Sequence, residues 1–278
     1  MKKAILVVSF GTSHLDALEN SIERIENKIK YEFKDYEIFR AFTAHKIIKK
    51  LKNVHNIDIA TPEEALEDLY KKGFKEVIIQ PLHIIPGEEF DYIKGVAKMY
   101  KDKFSSLKLG RPIFYYQGIE DAPQDYTLFI NSIETLLKKN ECTILFGHGT
   151  PHCCNSVYGC LQSVLVDEGY DNVFVGTVEG YPTFETVLKR VKRKNINNVT
   201  LVPLMVVAGD HVKNDMASEE EDSWKSMFLN EGINAEAYIH GLGEIDEFTN
   251  LYISRIYDLI EDRYLNVGST KKLHCALV

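Results

Sequence analysis

Short apolar runs alternate with amphipathic stretches along the whole chain. The runs are rich in isoleucine and valine and end at turn residues, a pattern typical of parallel strands that are buried on both faces. The runs lie at 4–10, 37–42, 76–82, 112–116, 142–146, 173–177, 199–204 and 235–239. Their alternation with amphipathic segments predicts an α/β fold with mostly parallel sheets.

The segments between the runs predict helices. One apolar stripe recurs with helical spacing and consists of Leu15, Leu18, Ile22, Ile25 and Ile29. The sequence Thr61-Pro62-Glu63-Glu64 is typical of a capping box with proline at the first helical position. A further helix is predicted over 183–194.

The two halves of the chain resemble each other. Three pairs of segments align in the same order: 61–87 with 183–209, 11–12 with 149–150, and 116–118 with 239–241. Because the matches keep their order, we predict a tandem duplication that produced two similar α/β lobes. The predicted boundary near 138–141 divides the chain into an N-terminal lobe of 1–138 and a C-terminal lobe of 139–278.

Polar side chains follow three predicted strands in the second half. Ligands bind beyond the carboxyl ends of strands in open α/β sheets, and these ends have His148, Glu179 and His211, each within two residues of a glycine. Two imidazoles and a carboxylate suit a divalent cation such as Co²⁺, Fe²⁺, Ni²⁺ or Zn²⁺, and they also suit proton transfer near neutral pH. Neighbouring glycines let a ligand approach closely. We therefore predict a site at these three residues.

The first half lacks the full polar set. The alignment puts Phe10 over His148 and Ala44 over Glu179, while Glu89 corresponds to His211. The halves are therefore expected to share a scaffold, with the complete site only in the second.

Length and charge limit the classes of function. The 278 residues include 33 Lys and Arg against 41 Asp and Glu, a net charge of −8. This acidic balance argues against nucleic acid as the main partner, because phosphate binding favours a basic face. At about 150 residues per domain, the length fits either two compact units or one large one. No segment reaches the about 18–20 apolar residues of a membrane span, so no membrane partner is expected.

The cysteines and the N-terminus bear on the compartment. The five cysteines, at 142, 153, 154, 160 and 275, are odd in number and two are adjacent, which is not typical of a disulfide framework. The run at 4–10 follows Met1-Lys2-Lys3 in the manner of a signal peptide, but it is short and no small-residue cleavage site follows it. We expect a buried strand there and a soluble, cytoplasmic protein.

These motifs resemble the anaerobic cobalt chelatases of cobalamin biosynthesis. The matching segments of the second half are Gly147-His148-Gly149-Thr150, Glu179-Gly180 and 203–211, and the most specific piece is 208–216. In the first half, Ser9-Phe10-Gly11-Thr12-Ser13 and residues 80–89 fit the same family. The resemblance therefore covers nearly the whole chain.

The resemblance implies the class II chelatase fold, in which two flavodoxin-like lobes face each other across a tetrapyrrole cleft. It implies insertion of Co²⁺ into sirohydrochlorin with release of two protons, without ATP and without any cofactor beyond the inserted ion. His148, Glu179 and His211 would bind the metal, and the two histidines would be the catalytic proton acceptors. The residues expected to bind the substrate are Phe10, Gly11, His45, Gly87 and Glu89.

Other interpretations fit parts of the pattern. The ligand types do not separate Co²⁺ from Fe²⁺, so a ferrochelatase acting on sirohydrochlorin or another porphyrin is one alternative, and a non-catalytic carrier of metal or tetrapyrrole is another. His152-Cys153-Cys154 could hold a structural zinc with His148, although free cysteine is more often a core residue. His83 is interpreted as a core histidine with satisfied hydrogen bonds. A homo-oligomer is compatible with the sequence.

Overall fold

The chain forms two parallel four-stranded sheets, one from each half of the sequence. A computed structural model describes residues 1–119, 121–264 and 267. The first sheet has the order β2-β1-β3-β4 and consists of β1 (Lys3–Ser9), β2 (Glu37–Phe42), β3 (Glu76–Pro81) and β4 (Ser106–Leu109). The second has the order β6-β5-β7-β8 and consists of β5 (Thr143–Gly147), β6 (Val173–Thr177), β7 (Asn198–Pro203) and β8 (Asn234–Ala237). Every pairing is parallel, which confirms the predicted α/β class.

The two sheets also share their register. Val8 lies opposite Pro81 in the first sheet, and Phe146 lies opposite Pro203 in the second. These four residues occupy corresponding places in the alignment of the two halves. Because strand order and register both repeat, the prediction of two similar flavodoxin-like lobes is confirmed.

Helices connect the strands and cover the sheets. Those of the first half are α1 (Leu15–Ala17), α2 (Arg24–Glu32), α3 (His45–Lys50), α4 (Pro62–Lys71) and α5 (Glu88–Tyr100). Those that follow are α6 (Asp125–Ser132), α7 (Glu134–Lys139), α8 (Ser156–Asp167), α9 (Phe184–Arg193), α10 (Trp224–Asn230) and α11 (Asp246–Ile260). Segments of π-helix lie at Leu18–Glu23, Leu51–His55 and Val212–Met216, and 3₁₀ turns lie at Lys101–Lys103, Cys153–Asn155 and Leu242–Glu244.

Local sequence signals account for where several helices begin and what they bury. The capping box is present, since Thr61 Oγ1 accepts from Glu64 N at 3.3 Å and Glu64 Oε2 accepts from Thr61 N at 2.9 Å. The predicted apolar stripe is buried from Leu18 to Ile29, while Leu15 at its start is exposed. One apolar core joins one face of both sheets, and a separate core covers the other face of each sheet.

The run at 112–116 is not a strand, and this prediction was wrong. The last strand of the first sheet is β4, and the apolar run forms a loop after it. Ile113 and Phe114 are fully buried there, and their N–H groups donate to His83 O and Ile84 O at 3.1 and 2.9 Å. The run is apolar because this loop fills the core, which local sequence does not distinguish from a buried strand.

The C-terminal helix crosses back to the first lobe. Tyr252 Oη on α11 donates to Leu82 O, just after β3, at 2.9 Å. In the same way, α6 packs against α8 of the second lobe and against α11. The division of the chain at 138/139 stays a prediction, and residues 268–278 at the end of the predicted second lobe, including Cys275, lie outside the described residues.

The cysteines of the described chain form no disulfide. Cys142 and Cys154 are buried, Cys160 is half-buried and Cys153 is exposed, and all four are free thiols. Burial raises the pKa of the Cys142 thiol to about 12, so this thiol stays protonated.

The helices of the described residues are all too short or too polar to span a membrane.

A buried ion network holds the crossing helices. Asp125, at the start of α6, is fully buried and accepts from Arg255 Nη2 at 3.3 Å and from Arg111 Nη2 at 3.2 Å. Arg255 on α11 is 1% exposed and also donates to Ile113 O at 2.8 Å. Burial lowers the pKa of Arg255 to about 10, although the Asp125 carboxylate opposes this shift.

We expect Asp125→Ala to lower the free energy of unfolding by about 3–5 kcal/mol, because it leaves buried guanidinium groups without their carboxylate. Urea denaturation of the full chain measures the change. Lys138→Ala is the control, since it removes an exposed ion pair with Glu134 and should leave stability nearly unchanged. Equal stability of Asp125→Ala and the parent would contradict a structural role for this network.

Candidate metal centre and cleft

The candidate site lies where the carboxyl ends of β5, β6 and β7 meet the first lobe. His148 directly follows β5, Glu179 follows β6 by two residues, and His211 follows the loop after β7. All three line one cavity of about 450 Å³ that also has walls from the first lobe. The structure therefore brings the three predicted residues to a single cavity between the lobes.

The two histidines face each other directly. His148 Nε2 lies 3.0 Å from His211 Nε2, and the rings are perpendicular with centroids 4.4 Å apart. His148 Nδ1–H donates to Gly149 O at 2.9 Å, and His211 Nδ1–H donates to Asp215 Oδ2 at 2.6 Å. Because the hydrogen bond at Nδ1 sets the tautomer, each Nε2 presents a lone pair. Both lone pairs can reach one ion at the usual metal–nitrogen distance of about 2.0–2.1 Å.

Glu179 lies beside this pair rather than between its members. Its Oε2 is 4.0 Å from His148 Nδ1, which is the side of the ring away from His211. Its backbone N–H donates to His148 O at 2.7 Å, and its side chain is 59% exposed. Within the described chain, no three His, Cys, Asp or Glu side chains are grouped closely enough to form a complete metal site. The three-ligand set therefore stays a prediction.

The loop that positions His148 depends on close backbone contact. Gly149 has a φ of +85°, and a Cβ there would lie 2.6 Å from Gly180 N. Gly149 N–H donates to Tyr158 Oη at 3.2 Å, and Thr150 N–H donates to Asn155 Oδ1 at 3.2 Å. The loop after β5 is thus held against the loop after β6 and against α8, which fixes the direction of the His148 side chain.

Asp215 is a functional candidate that the sequence interpretation missed as an individual residue. It lies four residues after His211, on the π-helical segment Val212–Met216, and it accepts the hydrogen bond from the His211 ring. A carboxylate behind a metal-binding histidine orients the ring and raises its basicity. The signal available in the sequence was the i, i+4 spacing of histidine and aspartate within the most family-specific segment.

Charged residues cross the cleft next to His211. Asp210 Oδ1 lies 2.6 Å from His14 Nε2, and Lys213 Nζ donates to Asp16 Oδ2 at 2.9 Å. The hydrogen bond from His14 lowers the pKa of Asp210, and that from Lys213 lowers the pKa of Asp16. Both carboxyl groups are therefore held in the ionised form, and the loop after β1 is connected to the segment that contains His211.

The first lobe supplies the opposite wall. Phe10, Gly11, Gly87 and Glu89 line the cavity, as the prediction of cleft residues requires, while their contact with a substrate stays a prediction. Gly11 has a φ of +96°, and a Cβ there would lie 2.4 Å from the Phe42 ring. The remaining predicted residue, His45, begins α3 with an exposed side chain and is not among the described residues that line the cavity.

His83 differs from its sequence interpretation. It is among the residues that line the cavity, but both ring nitrogens are buried and neither has a hydrogen-bond partner among the described residues. The expectation of a satisfied core histidine was therefore wrong. Burial lowers the pKa of His83 to about 4, because the imidazolium cannot be solvated there.

The alternative zinc cluster is not assembled. His152 Nδ1 accepts from Cys154 N–H at 3.2 Å, and its Nε2 lies 3.4 Å from Asp91 Oδ2 on α5. The described residues contain no group of three His, Cys, Asp or Glu side chains that could hold a metal ion here, and the His152 Nδ1 nearest to Cys153 Sγ, at 3.9 Å, is already used by the hydrogen bond from Cys154 N–H. Within the described chain these residues instead form local hydrogen bonds and a contact between the lobes.

We expect Gly149→Ala to destabilise the protein by about 1–3 kcal/mol or more, because alanine is strained at this φ and its Cβ meets backbone. It should also weaken Co²⁺ binding, since the loop that holds His148 must shift. Gly159→Ala is the control, because this helical glycine has open space around its Cβ and the change should stabilise α8 by about 0.5–1 kcal/mol. Urea denaturation measures the stability of both variants, and Co²⁺ titration measures their metal binding. Parent-like behaviour of Gly149→Ala would refute the close-contact argument.

We expect His83→Phe to alter the pH dependence of stability. The folded-state pKa of His83 is lower than in the unfolded chain, so the unfolded state binds more protons between about pH 6.5 and 4, and the parent loses up to about 3 kcal/mol as the pH falls through that range. The phenylalanine variant should lack this contribution. Urea denaturation at several pH values compares the slopes, and identical slopes would contradict a buried neutral His83.

Comparison with known proteins identifies the family. Residues 3–261 match the family described as cobalt chelatase (CbiK). A sirohydrochlorin cobaltochelatase of Salmonella typhimurium is 36% identical over 263 residues, which cover 94% of this chain and 97% of that protein. The sirohydrochlorin cobaltochelatase CbiKC of Nitratidesulfovibrio vulgaris is 26% identical over 257 residues, covering 92% of this chain and 89% of that protein.

A solved structure supports the fold assignment. The sirohydrochlorin chelatase SirB from Bacillus subtilis subspecies spizizenii, in complex with cobalt, matches with a TM-score of 0.59 at 16% identity. The match covers 94% of this chain and 97% of that one, so both lobes and their arrangement are shared. The family match covers residues 3–261, and one relative is 36% identical over 94% of this chain. Together with the shared fold, these matches show that the chain belongs to the cobalt chelatase family.

Proposed function

We propose that this chain inserts Co²⁺ into sirohydrochlorin in anaerobic cobalamin biosynthesis, with release of two protons and without ATP. The observation that carries the proposal is the pair of Nε2 atoms, 3.0 Å apart, on the wall of a cavity between two lobes. Family membership and the name that two relatives share, sirohydrochlorin cobaltochelatase, support the choice of metal and tetrapyrrole.

The histidine pair can hold an ion without enclosing it. Neutral imidazole is a good ligand for Co²⁺, and two imidazoles occupy only part of its coordination sphere. The remaining positions face the cavity, where pyrrole nitrogens can replace bound water one at a time. The side chains of His148 and His211 are 45% and 40% exposed, so the ion can also enter from solvent.

The same two nitrogens can accept the protons that the macrocycle loses. Metal and proton compete for the Nε2 lone pairs, so each imidazole becomes a base when the ion passes to the pyrrole nitrogens. Two lone pairs match the two protons released. Glu179 and Asp215 lie next to these rings, and their negative charges offset the positive charge that protonation creates. Solvent then takes the protons, because both rings are partly exposed.

The proposal extends to the setting of the reaction. The partners are a tetrapyrrole and a divalent metal ion, with no cofactor beyond the ion itself, and the net charge of −8 argues against a nucleic acid. A cytoplasmic location is part of the proposal and is supported by the free thiols of Cys142, Cys153, Cys154 and Cys160, which a reducing compartment maintains.

The direct test mixes the purified protein with sirohydrochlorin and with Co²⁺, Fe²⁺ or Ni²⁺ in separate reactions. The visible spectrum follows metallation against the reaction without protein. We expect multiple turnovers with Co²⁺. A faster reaction with Fe²⁺ would favour a ferrochelatase, and stoichiometric binding without metallated product would favour a carrier.

We expect His211→Ala to lower the rate of metallation by about 100-fold or more, because it removes a ligand and a base together. The fold should persist, since the side chain is 40% exposed. His240→Ala is a matched control, because His240 also bonds a carboxylate four residues later, Glu244 Oε2 at 2.8 Å, but lies outside the cavity. A folded His211→Ala protein with the parent rate would rule out this assignment.

A further inference from the structure

The two histidines of the candidate metal centre have different partners behind them. His148 donates its Nδ1–H to the neutral carbonyl of Gly149 at 2.9 Å, whereas His211 donates to the carboxylate of Asp215 at 2.6 Å. A charge-assisted hydrogen bond is stronger than a neutral one and holds the ring more firmly in one orientation. The pair is therefore asymmetric, with His211 the more strongly oriented member.

We propose that Asp215 is a positioning residue for His211 in metal insertion. By accepting Nδ1–H, it selects the tautomer in which Nε2 is free, and it aims that lone pair at the point that His148 Nε2 also faces. This inference rests on the proposed function, because it assigns a role within the same site.

Asp215 is itself held in place. It belongs to the π-helical segment Val212–Met216, in which Val212 and Met216 are fully buried and anchor the backbone. The Asp215 side chain is 42% exposed, and its described hydrogen bond is the one from His211. Its position is therefore set by the buried residues on either side, while the side chain contributes little to folding.

Asp215 acts through His211 and does not contact the ion. The two ring nitrogens lie on different edges of the imidazole, so a carboxylate at Nδ1 is remote from an ion at Nε2. Asp215 is also not among the described residues that line the cavity. Its removal should therefore weaken metal binding through the orientation and tautomer of His211, and leave the cavity itself unchanged.

The test compares Asp215→Ala and Asp215→Asn with the parent protein by titration with Co²⁺ alone. We expect Asp215→Ala to raise the Kd for Co²⁺ by about 10–100-fold. Asp215→Asn should give an intermediate Kd, because its amide oxygen can still accept the Nδ1–H hydrogen bond. Glu244→Gln, which changes the carboxylate behind His240, is the matched control and should leave the Kd unchanged.

Nitrogen NMR of protein with ¹⁵N-labelled histidine supplies a readout that a merely structural role would not move. At pH 8 in the absence of metal, we expect the parent to hold His211 in the Nδ1–H tautomer and Asp215→Ala to shift it toward Nε2–H. The His211 signals are assigned by their loss in His211→Gln. An unchanged tautomer or an unchanged Kd in Asp215→Ala would overturn the proposal.

Metallation of sirohydrochlorin by the same proteins separates this proposal from the proposed function. A parent that binds Co²⁺ through an oriented His211 but does not metallate sirohydrochlorin would refute the proposed function and leave intact only the role of Asp215 in orienting His211 for metal binding. An active parent with an Asp215→Ala variant that matches it in Kd, tautomer and rate would refute the role of Asp215 alone.

Discussion

Parallel pairing of β5 with both β6 and β7 is the constraint on which the candidate metal centre depends. It brings the carboxyl ends of three strands to one edge of the sheet, so residues far apart in the chain arrive side by side. Close packing of Gly149 on Gly180 then fixes the loop after β5. This contact, together with the hydrogen bonds to Tyr158 and Asn155, sets the direction in which His148 faces His211.

The two lobes share a scaffold but differ in the residues that follow corresponding strands. The first lobe repeats the strand order and register of the second, yet it has Phe10 and Ala44 where the second has His148 and Glu179. The second-lobe wall of the cavity therefore has the imidazoles of His148 and His211, while the first-lobe wall mixes Phe10 and aliphatic side chains with polar ones. That difference suits a flat macrocycle, which needs its metal delivered from one side and apolar groups to lie against.

The two lobes contact each other both in the buried interior and at the surface of the cleft. In the interior, α11 of the second half of the chain packs on the first lobe, and Arg255 joins it to Asp125 on α6. At the cleft, Asp210 contacts His14 and Lys213 contacts Asp16. These surface pairs lie on either side of His211 and connect the segment that has this candidate metal ligand to the first lobe.

The sequence by itself determined most of the architecture and the location of the site. Strand and helix periodicity is a local property, so the alternation of elements, the capping box at Thr61 and the duplication could be identified without coordinates. Strand-end geometry likewise predicted that His148 and His211 would approach each other. Local patterns were misleading at 112–116, because an apolar loop in a core and a buried strand have the same composition.

Only the tertiary structure decided which groups touch. Three features depend on side-chain orientation at close range: the carboxylate of Asp215 behind His211, the offset of Glu179 from the histidine pair, and the lack of any hydrogen-bond partner for the His83 nitrogens among the described residues. The crossing of α11 to the first lobe depends on contacts between residues more than a hundred positions apart. Such contacts are decided by packing of the whole chain, and hydrophobic periodicity, which reports only whether a residue is buried, does not encode them.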